Sequence, residues 1–207
     1  MGSYYYLAAQ LPYLAYGQKP PMSSSDFRDL AKPLLDTQDR VFFDLVDLDP
    51  EGITEKGHID TRPSYAEPAL KSGCDFIDQW REWERTLRLN LAQQRSQKTK
   101  QEGVNALVEA PALPTDAAAA ALRAVTATES PLEAEYVLDK ARWEAIENLQ
   151  GIIYFNRNTI YAFLLKLLLL ERHAMFNTEN GYAEYKSLYA SILGSVQPGS
   201  SPEGEIK

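Results

Sequence analysis

The chain of 207 residues is poor in the groups on which most site chemistry depends. It has one cysteine, Cys74, which excludes an internal disulfide framework and any zinc site built from several cysteines. Its two histidines, His58 and His173, leave little for a transition-metal centre. Positive charge is also short: 21 lysines and arginines against 29 acids give a net charge of −8 and a pI near 4.9. The basic footprint of a nucleic-acid or anionic-membrane binder is missing. No long hydrophobic run is present. The most apolar stretch, Ile160 to Leu170, is interrupted by Lys166 and is too short for about 30 Å of hydrocarbon. The opening residues show no basic segment followed by an apolar one, so the expectation is a reduced, cytoplasmic protein without a secretory leader. No G-x-S-x-G, G-x-x-x-x-G-K or G-x-G-x-x-G occurs, which removes the local signatures of acyl transfer and nucleotide binding. No cofactor is indicated. What the chain does have is tyrosine, 12 of its 22 aromatics, a residue suited to broad packed surfaces with polar rims.

The pattern predicts a mainly α fold: an antiparallel helical bundle with a Pro-rich N-terminal lobe. A single helical domain is expected over 1–196, divided into the lobe (1–52), the bundle (72–194) and a flexible crossover within it (101–130), followed by a disordered tail (197–207). The first 22 residues carry five tyrosines and three prolines, which fits a short strand or one helical turn followed by an extended connection. Ser23 to Ser25 before Asp26, with Phe27, Leu30, Ala31 and Leu34 at helical spacing, mark a capped helix that Pro33 interrupts. A second helix from about Thr37 through Leu48 places Val41, Phe42, Leu45, Val46 and Leu48 on one side, with Pro50 and Gly52 ending it. Residues 50–72 read as a surface connection.

From Ser72 or Gly73 a long helix is expected, because Phe76, Trp80, Trp83, Leu87 and Leu91 recur at steps of three and four. That stripe serves either as core or as a subunit interface, and core is the expectation. The acids Asp75, Asp78, Glu82 and Glu84 read as the solvated face of the same helix. The alanine-rich segment 103–130 holds one short helix, and Ser130-Pro131-Leu132-Glu133 is a helix start with a cap, a proline at the first position and a capping-box acid. Gly151 breaks this helix, and Ile152 to Phe176 follows as the central helix, apolar almost all round. A last amphipathic helix carries Tyr182, Tyr185, Leu188 or Tyr189, and Ile192.

Few residues qualify for chemistry. Asp47-x-Asp49-x-Glu51-Gly52 imitates the opening of a calcium loop, but position twelve, which needs a bidentate Glu, is His58. Calcium binding is not expected. His58 reads as a solvated loop histidine and His173 as a residue of a helix C-terminal turn. Glu171 and His173 stand two apart and cannot grip one metal from a single helix. Cys74 at a helix start reads as a buried, inert thiol. Lys166, amid apolar neighbours, either snorkels to the surface or pairs with an acid inside a groove. No catalytic, cofactor-binding or metal residue is assigned.

Two stretches, YYYLAAQLPYLAYGQKPPMSSSDF and IYFNRNTIYAFLLKLLLLERHAMFNTENGYAEYKSLYASILG, resemble a small bacterial family of uncharacterised proteins. These are encoded among V-type ATPase subunits in spirochaetes, chlamydiae and Bacteroides-like bacteria. The markers are Gly17 to Phe27 and Asn156 to Arg172. The resemblance implies a counterpart of the C (or d) subunit, an all-helical funnel coupling the central stalk to the membrane rotor ring. It thus implies a non-enzymatic peripheral protein at the inner membrane whose partners are stalk and rotor subunits, with no nucleic acid and no small-molecule substrate. The rival expectations are a stand-alone helical adaptor that binds a peptide or partner helix and, third, a hydrolase or transferase with its site scattered over loops.

Overall fold

Local rules explain where the helices begin and end. The computed structural model describes residues 4–48, 71–99, 115–176 and 186–189. Seven α-helices of six or more residues are bounded there: α1 (Tyr5–Gln10), α2 (Ser24–Ala31), α3 (Thr37–Asp44), α4 (Asp75–Thr99), α5 (Asp116–Ala127), α6 (Pro131–Gln150) and α7 (Arg157–Met175). The protein is mainly α, with no strand among the described residues. The Ser23 side chain accepts from the Asp26 amide to start α2, and Pro33 converts its end into a 3-10 turn, Lys32–Leu34. Ser130 accepts from the Glu133 amide and Thr115 from the Ala118 amide in the same way. Gly151 ends α6 at φ 69° and ψ −164°, a conformation nearly confined to glycine.

Two boundaries differ from the sequence expectation. Helix α3 stops at Asp44, so Val41 is 59% exposed and the buried aromatic pair is Phe42 and Phe43. The Arg28 guanidinium, donating to the carbonyls of Phe43 and Val46 at 3.3 and 2.8 Å, takes over the carbonyls at that end. Helix α7 starts at Arg157 rather than Ile152, because the Asn156 side chain accepts from the Thr159 amide and caps it there. Ile152 to Phe155 are therefore an exposed corner and not core. Near the N-terminus the six-residue α1 replaces the strand alternative.

The chain divides into two units, residues 1–173 and 174–207. In the first unit α5 packs on α6, and α4 packs on both. Ala118, Ala121 and Leu122 are buried, so the helical part of the 101–130 segment belongs to the packed body. Helix α7 is the apolar centre: Ile160, Tyr161, Ala162, Leu164, Leu165 and Leu167 have no exposed surface. Phe163 meets Phe27 of α2 at 4.7 Å between ring centroids, and Tyr161 meets Phe43 of α3 and Phe76 of α4 at 6.3 and 5.8 Å. The tryptophan stripe of α4 is core as expected, with Trp80 donating to the Asp47 carbonyl at 2.9 Å. In the second unit residues 186–189 are helical and exposed. The remainder of the expected last helix, the 50–70 connection, His58, Asp49, Glu51, Gly52 and the tail lie outside the described residues.

Candidate interaction surface

Two buried polar nodes hold the first unit together. Asp39 of α3 is 4% exposed. It accepts from the Tyr4 hydroxyl at 2.5 Å and from Arg157 at 3.1 Å, and its backbone carbonyl accepts from the Tyr161 hydroxyl at 3.0 Å. Burial first and Asp39 second push both tyrosine hydroxyls well above the usual phenol range, so they remain donors. The second node is Glu84 of α4, which was expected on a solvated face but is 1% exposed. Arg142 of α6 bonds both its oxygens at 3.0 Å and donates to Asp139 at 2.8 Å, while Arg88 reaches Glu84 at 2.8 Å. Burial opposes the Glu84 charge, but the Arg142 and Arg88 guanidiniums outweigh it and lower its pKa. For Asp139 burial wins over the Arg142 and Arg172 charges, and its pKa is raised. Asp78 is likewise not a free surface acid: burial opposes its charge, yet bonds from the Ser72 amide and hydroxyl at 2.7 and 2.8 Å lower its pKa.

The residues singled out for chemistry do not assemble into a reacting group. Cys74 is fully buried at the start of α4. His173 sits against Tyr136 and Tyr16, at 4.5 and 5.7 Å between centroids, and its Nδ1 is buried without a hydrogen-bond partner. Tyr16 donates to the Tyr136 carbonyl at 2.8 Å, and burial with the Asp139 charge pushes its hydroxyl up to about 12. Among the described residues no three His, Cys, Asp or Glu side chains gather to hold a metal ion, and no helix is long and apolar enough to cross a membrane.

The feature that stands out lies on the surface. Tyr5, Tyr6 and Tyr13 from the N-terminal segment and Ile152, Ile153, Tyr154 and Phe155 from the corner before α7 are all exposed, from 42% to 90%. The two segments are joined: the Tyr4 amide donates to the Phe155 carbonyl at 2.8 Å, and the Tyr5 and Phe155 rings lie 4.5 Å apart. Between them runs an open groove of about 540 Å³ walled by Leu11, Pro12, Tyr13, Tyr154 and Phe155, with Glu147 and Lys166 at its polar end. Lys166 takes the second of its two expected options. Its ammonium is 3.2 Å from Glu147 and 5.0 Å from the centroid of the Trp143 ring, whose Nε1 also donates to Glu147 at 3.0 Å. Clustered exposed aromatics of this kind mark an interaction site more often than a solvent face.

Sequence reading missed this surface because Ile152 to Phe155 were joined to the apolar run from Ile160 across the polar Asn156-Arg157-Asn158-Thr159 that separates the two. The available signal was the pairing of Gly151 as a helix stop with Asn156 as a new cap. No curated protein and no solved structure matches the chain. A family model described as "Protein of unknown function (DUF2764)" matches residues 60–194, well over half of the sequence, and the chain therefore belongs to that family.

Proposed function

We propose that the protein is a non-enzymatic peripheral subunit of a bacterial V-type ATPase, coupling or assembling the central stalk and the membrane rotor. The observation that carries the interaction part of this reading is the joined aromatic surface of residues 5–13 and 152–155, supported from beneath by the Asp39 node. A coupling element needs a stiff body and exposed contact area, and it transforms no ligand. The assignment to the ATPase rests on the resemblance of residues 4–27 and 153–194 to proteins encoded beside its subunits. The same surface also supports a second reading, an adaptor that binds a partner helix outside any ATPase.

Solubilising membranes in mild detergent and purifying the ATPase through a tagged catalytic subunit tests the first reading. The expected result is this chain at a fixed ratio to the catalytic subunits, with deletion of its gene lowering ion pumping per ATP hydrolysed. Its absence from an intact, active complex refutes the subunit reading and leaves the adaptor.

A further inference from the structure

We propose that two copies of this chain pair through the aromatic surface, Ile152 and Ile153 of each entering the groove between residues 8–14 and 147–155 of the other. This rests on the reading of that surface as an interaction site and names its partner; the ATPase assignment is separate. The size fits a dimer. Tyr5, Tyr6, Tyr13, Tyr154 and Phe155 are between 42% and 87% exposed. At about 200 Å² per ring side chain they show roughly 650 Å² to solvent, and Ile152 and Ile153 add to it. A standard interface takes about 800 Å² from each partner. The shape fits too. Ile152 is 90% exposed on the corner and follows Gly151, which lines the open groove of about 540 Å³. A projecting ridge and a groove side by side in one patch suit a two-fold contact, because each copy then fills the other.

Charge selects the occupant. A two-fold interface brings a patch against itself, so any net charge on it repels its own copy. Here the groove's one acid and one cation among the described residues, Glu147 and Lys166, lie 3.2 Å apart and neutralise each other. The rest of the patch is apolar or tyrosine, whose hydroxyl both donates and accepts and can therefore bond to its own kind. In a chain of net charge −8 such a balanced face is the place where two copies can meet. The other exposed apolar side chains, Leu30, Leu34, Val41 and Leu45, stand among Asp26, Asp29, Asp36, Asp44 and Asp47, and a copy there would face an excess of its own acids. A partner of either charge gains nothing from the balanced groove, whereas a second copy needs no further complement.

Sedimentation velocity on the full chain, from about 1 to 100 µM, tests this. The species expected at the upper end has twice the 23.3 kDa of one chain. Ile152→Asp on the ridge and Tyr13→Asp on the groove wall, both at exposed positions, should each weaken pairing about tenfold or more with melting temperatures unchanged. Val41→Asp, the same charge on an exposed side chain of α3, should change it by less than about twofold. Mixing the first two variants reads the reciprocal contact. Ile152→Asp keeps an intact groove and Tyr13→Asp an intact ridge, so a mixed pair retains one whole contact and should form about fivefold more tightly than either variant alone. Raising salt from about 0.05 to 0.5 M should tighten the wild-type pair roughly threefold, because chains of net charge −8 repel at long range while the contact itself is neutral. A monomer at the highest concentration, a dimer that neither variant weakens, no gain on mixing, or weakening by salt overturns the inference. The outcomes separate from those of the ATPase purification. A dimer whose chain is absent from the complex upholds the pairing and removes the subunit reading. A monomer that is present in the complex, and is lost from it when Ile152 and Tyr13 are changed, does the reverse, because the surface then meets another protein.

Discussion

Replacing Arg142 by methionine is the most demanding test of how this fold is held. Arg142 is 5% exposed and spends three nitrogens on Glu84 and Asp139, so methionine conserves much of its stem while leaving two buried carboxylates short of their main cation. Arg88 at 2.8 Å and Arg172 at 3.6 Å remain, from positions nearer the solvent. Breaking one side of a buried ion pair costs about 3–5 kcal/mol. At about 2–4 °C per kcal/mol for a chain of this size, Arg142→Met should lower the melting temperature by roughly 6–20 °C. The double variant Glu84→Leu with Arg142→Met should recover part of that loss, because one of the two orphaned carboxylates is gone and only Asp139 remains.

The pH dependence supplies a second reading of the same variant. In the native protein the Glu84 pKa is depressed, so its contribution is present above the unfolded value near 4.3 and is lost as pH falls through the folded value. Asp139 is raised and has the opposite sign: its contribution is complete below the unfolded value near 3.9 and is lost as pH rises through the folded one. Without Arg142 both acids are pushed upward. The deficit of Arg142→Met should therefore be greatest at pH 7 and shrink towards pH 4, measured by urea unfolding with helical circular dichroism. A deficit under about 1 kcal/mol at pH 7, or a double variant no more stable than the single one, refutes the argument.

Three further outcomes follow from other contacts. Asp139→Asn should cost less than half as much as Arg142→Met, since burial already favours the uncharged form and the side-chain oxygen can still accept from Arg142; urea midpoints decide it. Gly151→Ala should cost about 1–3 kcal/mol in the same assay, through backbone conformation alone, because a Cβ there meets nothing within 4 Å. Glu171→Gln should cost about 1–2 kcal/mol and raise amide exchange across 24–31, as Glu171 accepts from the Ser24 amide and hydroxyl, both at 2.6 Å. Unchanged exchange in that segment would show that Phe27, Ala31 and the Arg28 bonds hold α2 without Glu171.

The helices were legible in the sequence wherever a local rule applied. Ser23, Ser130 and Gly151 act within a turn of themselves, and the period of Phe76, Trp80, Trp83, Leu87 and Leu91 reports one face of one helix. What stayed hidden depends on distant partners. Glu84 looks like any helix-surface acid until Arg142, 58 residues on, is brought beside it. Asp39 carries no local sign of burial, since its partners Tyr4 and Arg157 stand 35 and 118 residues away. The groove was invisible for the same reason: its walls come from residues 8–14 and 147–166, and only the fold makes them neighbours. Its family identity lay in the sequence as similarity, without any residue pattern that names a reaction.

The Asp39 node also sets an order of events during synthesis. Tyr4, Asp39 and the head of α3 leave the ribosome well before Arg157 and Tyr161, which are separated from Asp39 by 118 and 122 residues. At about 5–20 residues per second the carboxylate waits roughly 6–24 s for its cation. Throughout that interval the N-terminal tyrosines have no Phe155 to stack on and no α7 to cover Phe27 and Phe43. The amino-terminal quarter is therefore the part of the nascent chain with most to gain from a chaperone, and a truncation before α7 releases it without its counter-charge.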